Sequence, residues 1–289
     1  MALLAELSTR SGPPISSSDQ GRSREVLIRT ISALALAGLL VASLYGGWPY
    51  FHLLVLAATG IMAWEWARLC GRGSLAPGGH ALIAACVGIV VLASFALYIE
   101  ASLVFIAATP IVALMAKSQQ ISDAFWLGIG VLYVGGGSWS AIALFDLYQY
   151  GVWIVVWVFL VVALTDIGAF LAGRTIGGPK LAPRLSPKKT WSGFFGGLIC
   201  AALAGLVFAV FVDRSSTVFH VVAAVGIGIV AQAGDLFESL FKRHFAAKDS
   251  GGLIPGHGGL LDRVDGVVAA MIVVAVVAWI RGGVETPWL

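Results

Sequence analysis

Long runs without a single charge dominate this chain, and Val152 to Leu164 and Val267 to Ile280 are the clearest. A hydrocarbon layer of about 30 Å admits only segments that satisfy their own backbone hydrogen bonds, so a crossing takes a helix of about 20 apolar residues. A membrane β-barrel would instead alternate apolar and polar residues in stretches of about ten. The continuous runs therefore predict an all-α fold. Reading with a 20-residue window gives nine candidate transmembrane helices, at 27–45, 48–67, 80–99, 102–116, 124–146, 152–173, 191–212, 218–237 and 266–281. Composition agrees: 59% of the 289 residues are apolar and 11% charged, against about 45–50% and 25% in soluble domains. A soluble globular enzyme, a disordered tail and a nucleic-acid binder are excluded on that ground.

Lysine and arginine gather in cytoplasmic loops of membrane proteins, which tests the count independently. With the N-terminus inside, sixteen of the eighteen basic residues fall on the inner side, and only Arg214 and Arg281 fall outside. The expectation is a polytopic membrane protein, a single domain overall, with its N-terminus in the cytoplasm. Residues 1–24, rich in Ser, Gly and Pro and without the apolar core of a cleaved signal, read as a flexible cytoplasmic tail. Residues 25–150 read as N-terminal transmembrane helices, and 151–289 as the C-terminal transmembrane region that carries chemistry. Cys70, Cys86 and Cys200 have no paired spacing and read as small apolar packing residues. Gly193, Gly196, Gly197, Ala201 and Ala204 form a small-residue stripe suited to close helix packing in lipid.

Six of the fifteen acids lie in the second half, at or beside two basic loops: Asp166, Asp235, Glu238, Asp249, Asp262 and Asp265. A charge placed in hydrocarbon costs at least about 2.5–3.5 kcal/mol, so each acid within a span needs a partner or a wet cavity. Asp235 and Glu238 are three residues apart and share a helical face; Asp262 and Asp265 repeat the spacing where the last span begins. Such a set of hard oxygen ligands suits Mg²⁺, which retains water and substrate phosphate in its shell. Ion transport would also use buried acids. The interleaved cations Lys242, Arg243 and Lys248, with Lys188 and Lys189 in the loop Leu185 to Thr190, favour phosphoryl chemistry, in which charge on phosphate oxygens is neutralised while reactants are aligned. The glycine-rich stretch Asp249 to Gly259 can bring backbone amides close to phosphate. Within it, His257 reads as a base, a phosphate donor or a turn residue. No G-x-x-x-x-G-K-[ST] occurs, so this is not a P-loop site.

The segment SLFKRHFAAKDSGGLIPGHGGLLDRVD, Ser239 to Asp265, resembles the signature of the phosphatidate cytidylyltransferase (CDP-diacylglycerol synthase) family at every constrained position. Thr165-Asp166, Gly173-Arg174 and Ser186-Pro187-Lys188-Lys189-Thr190 are similar to the family's second conserved region, so the likeness runs from about Val161 to Gly266. Ile167, where Thr or Ser is common, and Gly266, where serine is frequent, depart from the pattern. The resemblance implies transfer of cytidylyl from CTP to phosphatidic acid, giving CDP-diacylglycerol and pyrophosphate, with Mg²⁺ and a second cation such as K⁺. It also implies a homodimer in the cell inner membrane, facing the cytoplasm, with no nucleic-acid partner. On this likeness Asp235, Asp262, Lys248, Asp249 and Asp265 are the expected catalytic residues. Asp166, Arg174, Ser186, Lys188, Lys189, Thr190, Lys242, Arg243, His257 and Arg263 are expected to bind substrate, and Asp235, Asp262, Glu238 and Asp265 to bind metal. A CDP-alcohol phosphotransferase would need D-G-x-x-A-R ahead of its acids, which the chain lacks. A cation-coupled secondary transporter would show inverted halves, whereas the acids gather in one half.

Overall fold

The structure is a computed structural model that describes residues 17–118, 124–147, 150–211, 216–253 and 258–281, without the side chains of residues 17–29 and 117–118. His257, Arg214 and the first sixteen residues lie outside the described residues. Within them the chain forms α1 (Ser17–Gly46), α2 (Tyr50–Cys70), α3 (Pro77–Ser94) and α4 (Tyr98–Ser118). Next come α5 (Ala124–Gly130) and α6 (Gly136–Phe145), joined into one rod by a π turn over Val131–Gly135. The second half is α7 (Gly151–Thr175), a hairpin of β1 (Lys180–Ala182) and β2 (Ser186–Thr190), α8 (Trp191–Phe211), α9 (Thr217–His244) and α10 (Leu261–Ile280). Eight of the resulting rods are long and apolar enough to cross a membrane, and α1 adds the shorter apolar stretch Thr30–Gly46.

The all-α expectation holds, and the differences from the predicted spans lie at helix ends. Counting apolar residues placed the end of the eighth span at 237, yet α9 continues to His244 as an amphipathic extension. The last span was expected from 266, yet α10 opens at Leu261, so Asp262 and Asp265 sit on its first turns and not in a loop. Helices outlast their apolar windows because backbone hydrogen bonding continues wherever water or other polar groups can receive the side chains. Pro110, inside α4, does not break it. The hairpin is an addition to the expected architecture: Lys180 pairs with Thr190 and Ala182 with Ser186.

Two apolar clusters hold the bundle together. One joins α7, α8, α9 and the end of α10 around Trp157, Val158 and Phe208. The other joins α2, α3, the π-turn rod and the basic ends of α9 and α10 around Trp66, Leu82, Phe241 and Leu261. Trp66 stacks on Phe241 with centroids 3.7 Å apart and donates its indole N–H to Trp126 O at 2.8 Å. At the far end of the bundle Asp146 accepts from Tyr98 Oη at 2.7 Å and meets His52 Nε2 at 3.2 Å.

Close approach of α7 and α8 follows from the small-residue stripe. A Cβ on Gly168 would stand 2.5 Å from Cys200 Sγ and 2.7 Å from Gly196 O, and one on Gly197 would stand 2.9 Å from Thr165 O. Two of those contacts, Gly196 O and Thr165 O, are with backbone, which cannot swing aside. This packing places Asp166 and the hairpin over α9. Gly168→Val should therefore lower the thermal midpoint of the detergent-solubilised protein by an overpacking cost of about 1–3 kcal/mol. Gly226→Val, on a helix face with nothing within 4 Å, should leave the midpoint unchanged; equal effects at both positions would contradict the packing account.

Candidate functional site

Helix periodicity and four elements, α7, β2, α9 and α10, assemble a polar cluster at the basic end of the bundle. In α9, Asp235, Glu238 and Lys242 follow at spacings of three and four, so they project from one face. Lys242 Nζ lies 2.6 Å from Glu238 Oε2 and 2.7 Å from Asp262 Oδ1 on α10. Lys189, at the end of β2, reaches Asp235 Oδ2 at 2.6 Å. Exposure along β2 does not alternate strictly: Lys188 is exposed, Lys189 is half-buried toward Asp235, and Thr190 is buried where the strand passes into α8. Thr190 Oγ1 accepts the Gly193 N–H at 3.1 Å, which caps α8 in the usual N-terminal manner. Asp166 on α7 interacts electrostatically with Asp235 and Lys189, and Asp265 with Asp235, Asp166 and Lys242.

The first turn of α10 is fixed by two acids. Asp262 Oδ2 accepts the Ser250 N–H at 3.0 Å and the Gly259 N–H at 3.1 Å. Glu65, wholly buried on α2, accepts the Leu260 N–H at 2.9 Å, the Leu261 N–H at 2.8 Å and the Ser250 hydroxyl at 3.3 Å. Helix N-termini present unpaired N–H groups that carboxylates satisfy. Gly258, with φ of 86°, makes the tight approach possible, since a Cβ there would meet Asp262 Oδ2 at 3.1 Å. From the π turn, the Tyr133 hydroxyl donates to Asp265 O at 2.7 Å.

Asp166, Asp235, Glu238, Asp262, Asp265, Lys189 and Lys242 are thus brought together. Arg174, Lys188, Arg243, Lys248, Asp249 and Arg263 are exposed at the rim, and Ser186 is half-buried where β2 begins. Arg174 stands 5.9 Å from the Phe170 ring centroid, and Arg243 donates to Ala247 O at 3.1 Å beyond the end of α9. His257 falls outside the described residues. Glu65, Ser250 and Tyr133 join the site although the sequence reading passed over them. Glu65 had a signal, being a lone acid between two tryptophans in an apolar span, and Ser250 lies within the glycine-rich signature stretch; Tyr133 had none without knowledge of the fold.

Five carboxyl groups face two ammonium groups here. Among the described residues no group of three or more His, Cys, Asp or Glu side chains is placed to hold a metal ion. Mg²⁺ needs none, because one or two carboxylates suffice when water and phosphate complete its shell. Glu238 Oε1, buried and without a hydrogen-bond partner among the described residues, is a further oxygen available to a cation. The donor set therefore fits Mg²⁺.

The fold and site define a polytopic helical membrane protein with a lysine-bridged carboxylate cluster at one end of its bundle. The chain belongs to the cytidylyltransferase family, whose sequence profile matches residues 27–281. It is 48% identical over 158 residues to the phosphatidate cytidylyltransferase of Brucella suis biovar 1 (strain 1330), covering 55% of this chain and 58% of that protein. It is 44% identical over 144 residues to the phosphatidate cytidylyltransferase of Staphylococcus saprophyticus, covering 50% of this chain and 54% of the relative. The matched segment spans just over half the length of these curated relatives.

Removing the acceptor beneath the α10 N-terminus should loosen the site. Glu65→Gln turns an amide N–H₂ toward backbone donors, and a buried unsatisfied donor costs about 1–3 kcal/mol. Hydrogen–deuterium exchange should show faster uptake at 258–262 than in the wild-type protein, with uptake in the middle of α7 unchanged. Unaltered exchange at 258–262 would contradict the anchoring role.

Proposed function

We propose that the protein transfers cytidylyl from CTP to phosphatidic acid, forming CDP-diacylglycerol and pyrophosphate in phospholipid biosynthesis. The observation that carries this reading is the cluster Asp166, Asp235, Glu238, Asp262 and Asp265, with Lys189 and Lys242, at the end of apolar helices where the basic residues collect. CTP is water-borne and cannot enter lipid, while phosphatidic acid keeps its tails in lipid. Their reaction requires a polar site at the bilayer edge, and the position of the cluster at the end of apolar helices supports that reading. The excess of lysine and arginine at this end supports a cytoplasmic orientation, with the protein in the cell inner membrane.

A phosphate oxygen of phosphatidic acid attacks the α-phosphorus of CTP. The new P–O bond forms as the bond from that phosphorus to the α,β-bridging oxygen breaks, and pyrophosphate departs with the bonding pair. The second pKa of a phosphomonoester is about 6, so the nucleophile is already anionic near neutral pH and needs little help from a base. The barrier is mutual repulsion of two anions and charge on the leaving group. Lys189 and Lys242 place ammonium groups inside the cluster, while Lys188, Arg243, Lys248 and Arg263 supply cations at the rim for phosphate oxygens. Mg²⁺, held by Asp235 and Asp262 with Glu238 and Asp265 beside them, would neutralise phosphate charge and align the reactants. A second cation such as K⁺ fits the remaining carboxylate excess, and the family resemblance supports a homodimer.

The test is an assay of purified protein with labelled CTP, phosphatidic acid and Mg²⁺, scored for a lipid-soluble cytidine product. Asp235→Asn and Asp262→Asn should each reduce product formation by at least about 100-fold while the protein still inserts into membranes. Wild-type turnover by either variant would remove those residues from the reaction. Lys248→Ala should slow turnover at subsaturating CTP; an unchanged rate would leave that ammonium as a solvated surface charge.

A further inference from the structure

A cavity of about 550 Å³ opens between the last turn of α2 and the residues that follow α9, a size in the range of small-ligand sites. Arg68 and Arg72 form one wall, and His244, Ala246 and Ser250 form the other. None of its lining residues is acidic, in contrast with the neighbouring carboxylate cluster. Ser250 belongs to both: it lines the cavity while its N–H donates to Asp262 and its hydroxyl to Glu65. The Arg68 guanidinium stands 4.8 Å from the Trp64 ring centroid, so its side chain is laid along an aromatic wall.

The backbone adds a second observation. Arg72, between Gly71 and Gly73, has φ of 51°, and Ala246 across the cavity has φ of 54°. Glycine adopts that conformation without strain, whereas a residue with a side chain does so at a cost that concentrates at ligand-binding positions. Of the three non-glycine residues with positive φ among the described residues, two line this one cavity. An arginine stands in the turn where glycine would be less strained, and it lines the cavity.

We propose that this cavity is the subsite for the phosphate chain of the nucleotide, with Arg68 and Arg72 as its ligands. The proposal rests on the reading of the protein as a CTP-using transferase and extends that site to the N-terminal half of the chain. Arginine forks match phosphate oxygens in geometry as well as charge, and the acid-free lining removes the repulsion that the carboxylates impose. The turn at Arg72 lies beyond the end of the membrane-length helix α2, which favours a water-borne triphosphate over a lipid headgroup carrying the same phosphate chemistry. Pyrophosphate, the product with that chemistry, occupies the same subsite.

The double variant Arg68→Gln/Arg72→Gly removes both guanidinium groups and places at 72 the residue its backbone prefers. In the full-length protein it should raise the KM for CTP and the inhibition constant of pyrophosphate about tenfold, the equivalent of about 1.4 kcal/mol, with the KM for phosphatidic acid unchanged. His244→Ala, on the opposite wall, should shift the same two constants in the same direction. Unchanged constants for CTP and pyrophosphate would overturn the proposal, as would a rise confined to phosphatidic acid, which would make the cavity a headgroup site. If the wild-type protein used neither substrate, the transferase reading would fail on its own. Calorimetric titration with pyrophosphate would then still decide the subsite: weaker binding by the double variant supports it, and equal binding overturns it.

Discussion

One ammonium group, Lys242 Nζ, stands between Glu238 at 2.6 Å and Asp262 at 2.7 Å, and the arrangement of the C-terminal half depends on it. Glu238 is almost wholly enclosed. Removing one partner of such a buried pair leaves an uncompensated charge, which is far costlier than the pair itself is stabilising. The bridge consequently fixes how α9 and α10 meet. Even so, Lys242 and Lys189 together cannot balance Asp166, Asp235, Glu238, Asp262 and Asp265. Intramembrane acids persist where they serve a cavity, a relay or a bound cation, and the residual negative charge here is what a divalent ion bound with phosphate would offset.

The N-terminal half supports this cluster mechanically. Glu65 reaches across from α2 to hold Leu260, Leu261 and Ser250, and the Trp66–Phe241 stack binds the same helix to the end of α9. The π turn aims Tyr133 at Asp265 O. Such a turn leaves backbone geometry irregular, and it recurs at functional sites for that reason. One end of the bundle is therefore a convergence of α2, the π-turn rod, α7, α9, α10 and the hairpin, not the property of the C-terminal helices alone.

The sequence made the spans legible because a continuous apolar run has few alternatives in lipid. It also made Asp235, Glu238, Asp262 and Asp265 legible, because acids at helical spacing beside basic loops stand out against so little charge. Helix ends were less so: α9 and α10 carry their acids on helical extensions that an apolar window truncates. Glu65 stands out as a lone acid in an apolar span, but its role does not, because its partners are backbone N–H groups 195 and 196 residues away and no pattern in the chain encodes a backbone donor. Thr190 shows the converse, since a motif residue expected at substrate is engaged in capping α8. The resemblance supplied the reaction proposed for the site, while the geometry supplied which of its residues meet.

The most direct measurement is of cation binding itself. Mn²⁺ titrated into the purified protein and followed by electron paramagnetic resonance substitutes for Mg²⁺ at oxygen ligands. Saturable binding that Mg²⁺ competes away, lost in an Asp235→Asn/Asp262→Asn double variant that keeps its helical circular dichroism, is the predicted result. Binding of equal strength in that variant, or no saturable binding to the wild-type protein with CTP present, would contradict a carboxylate cluster built to hold a divalent cation.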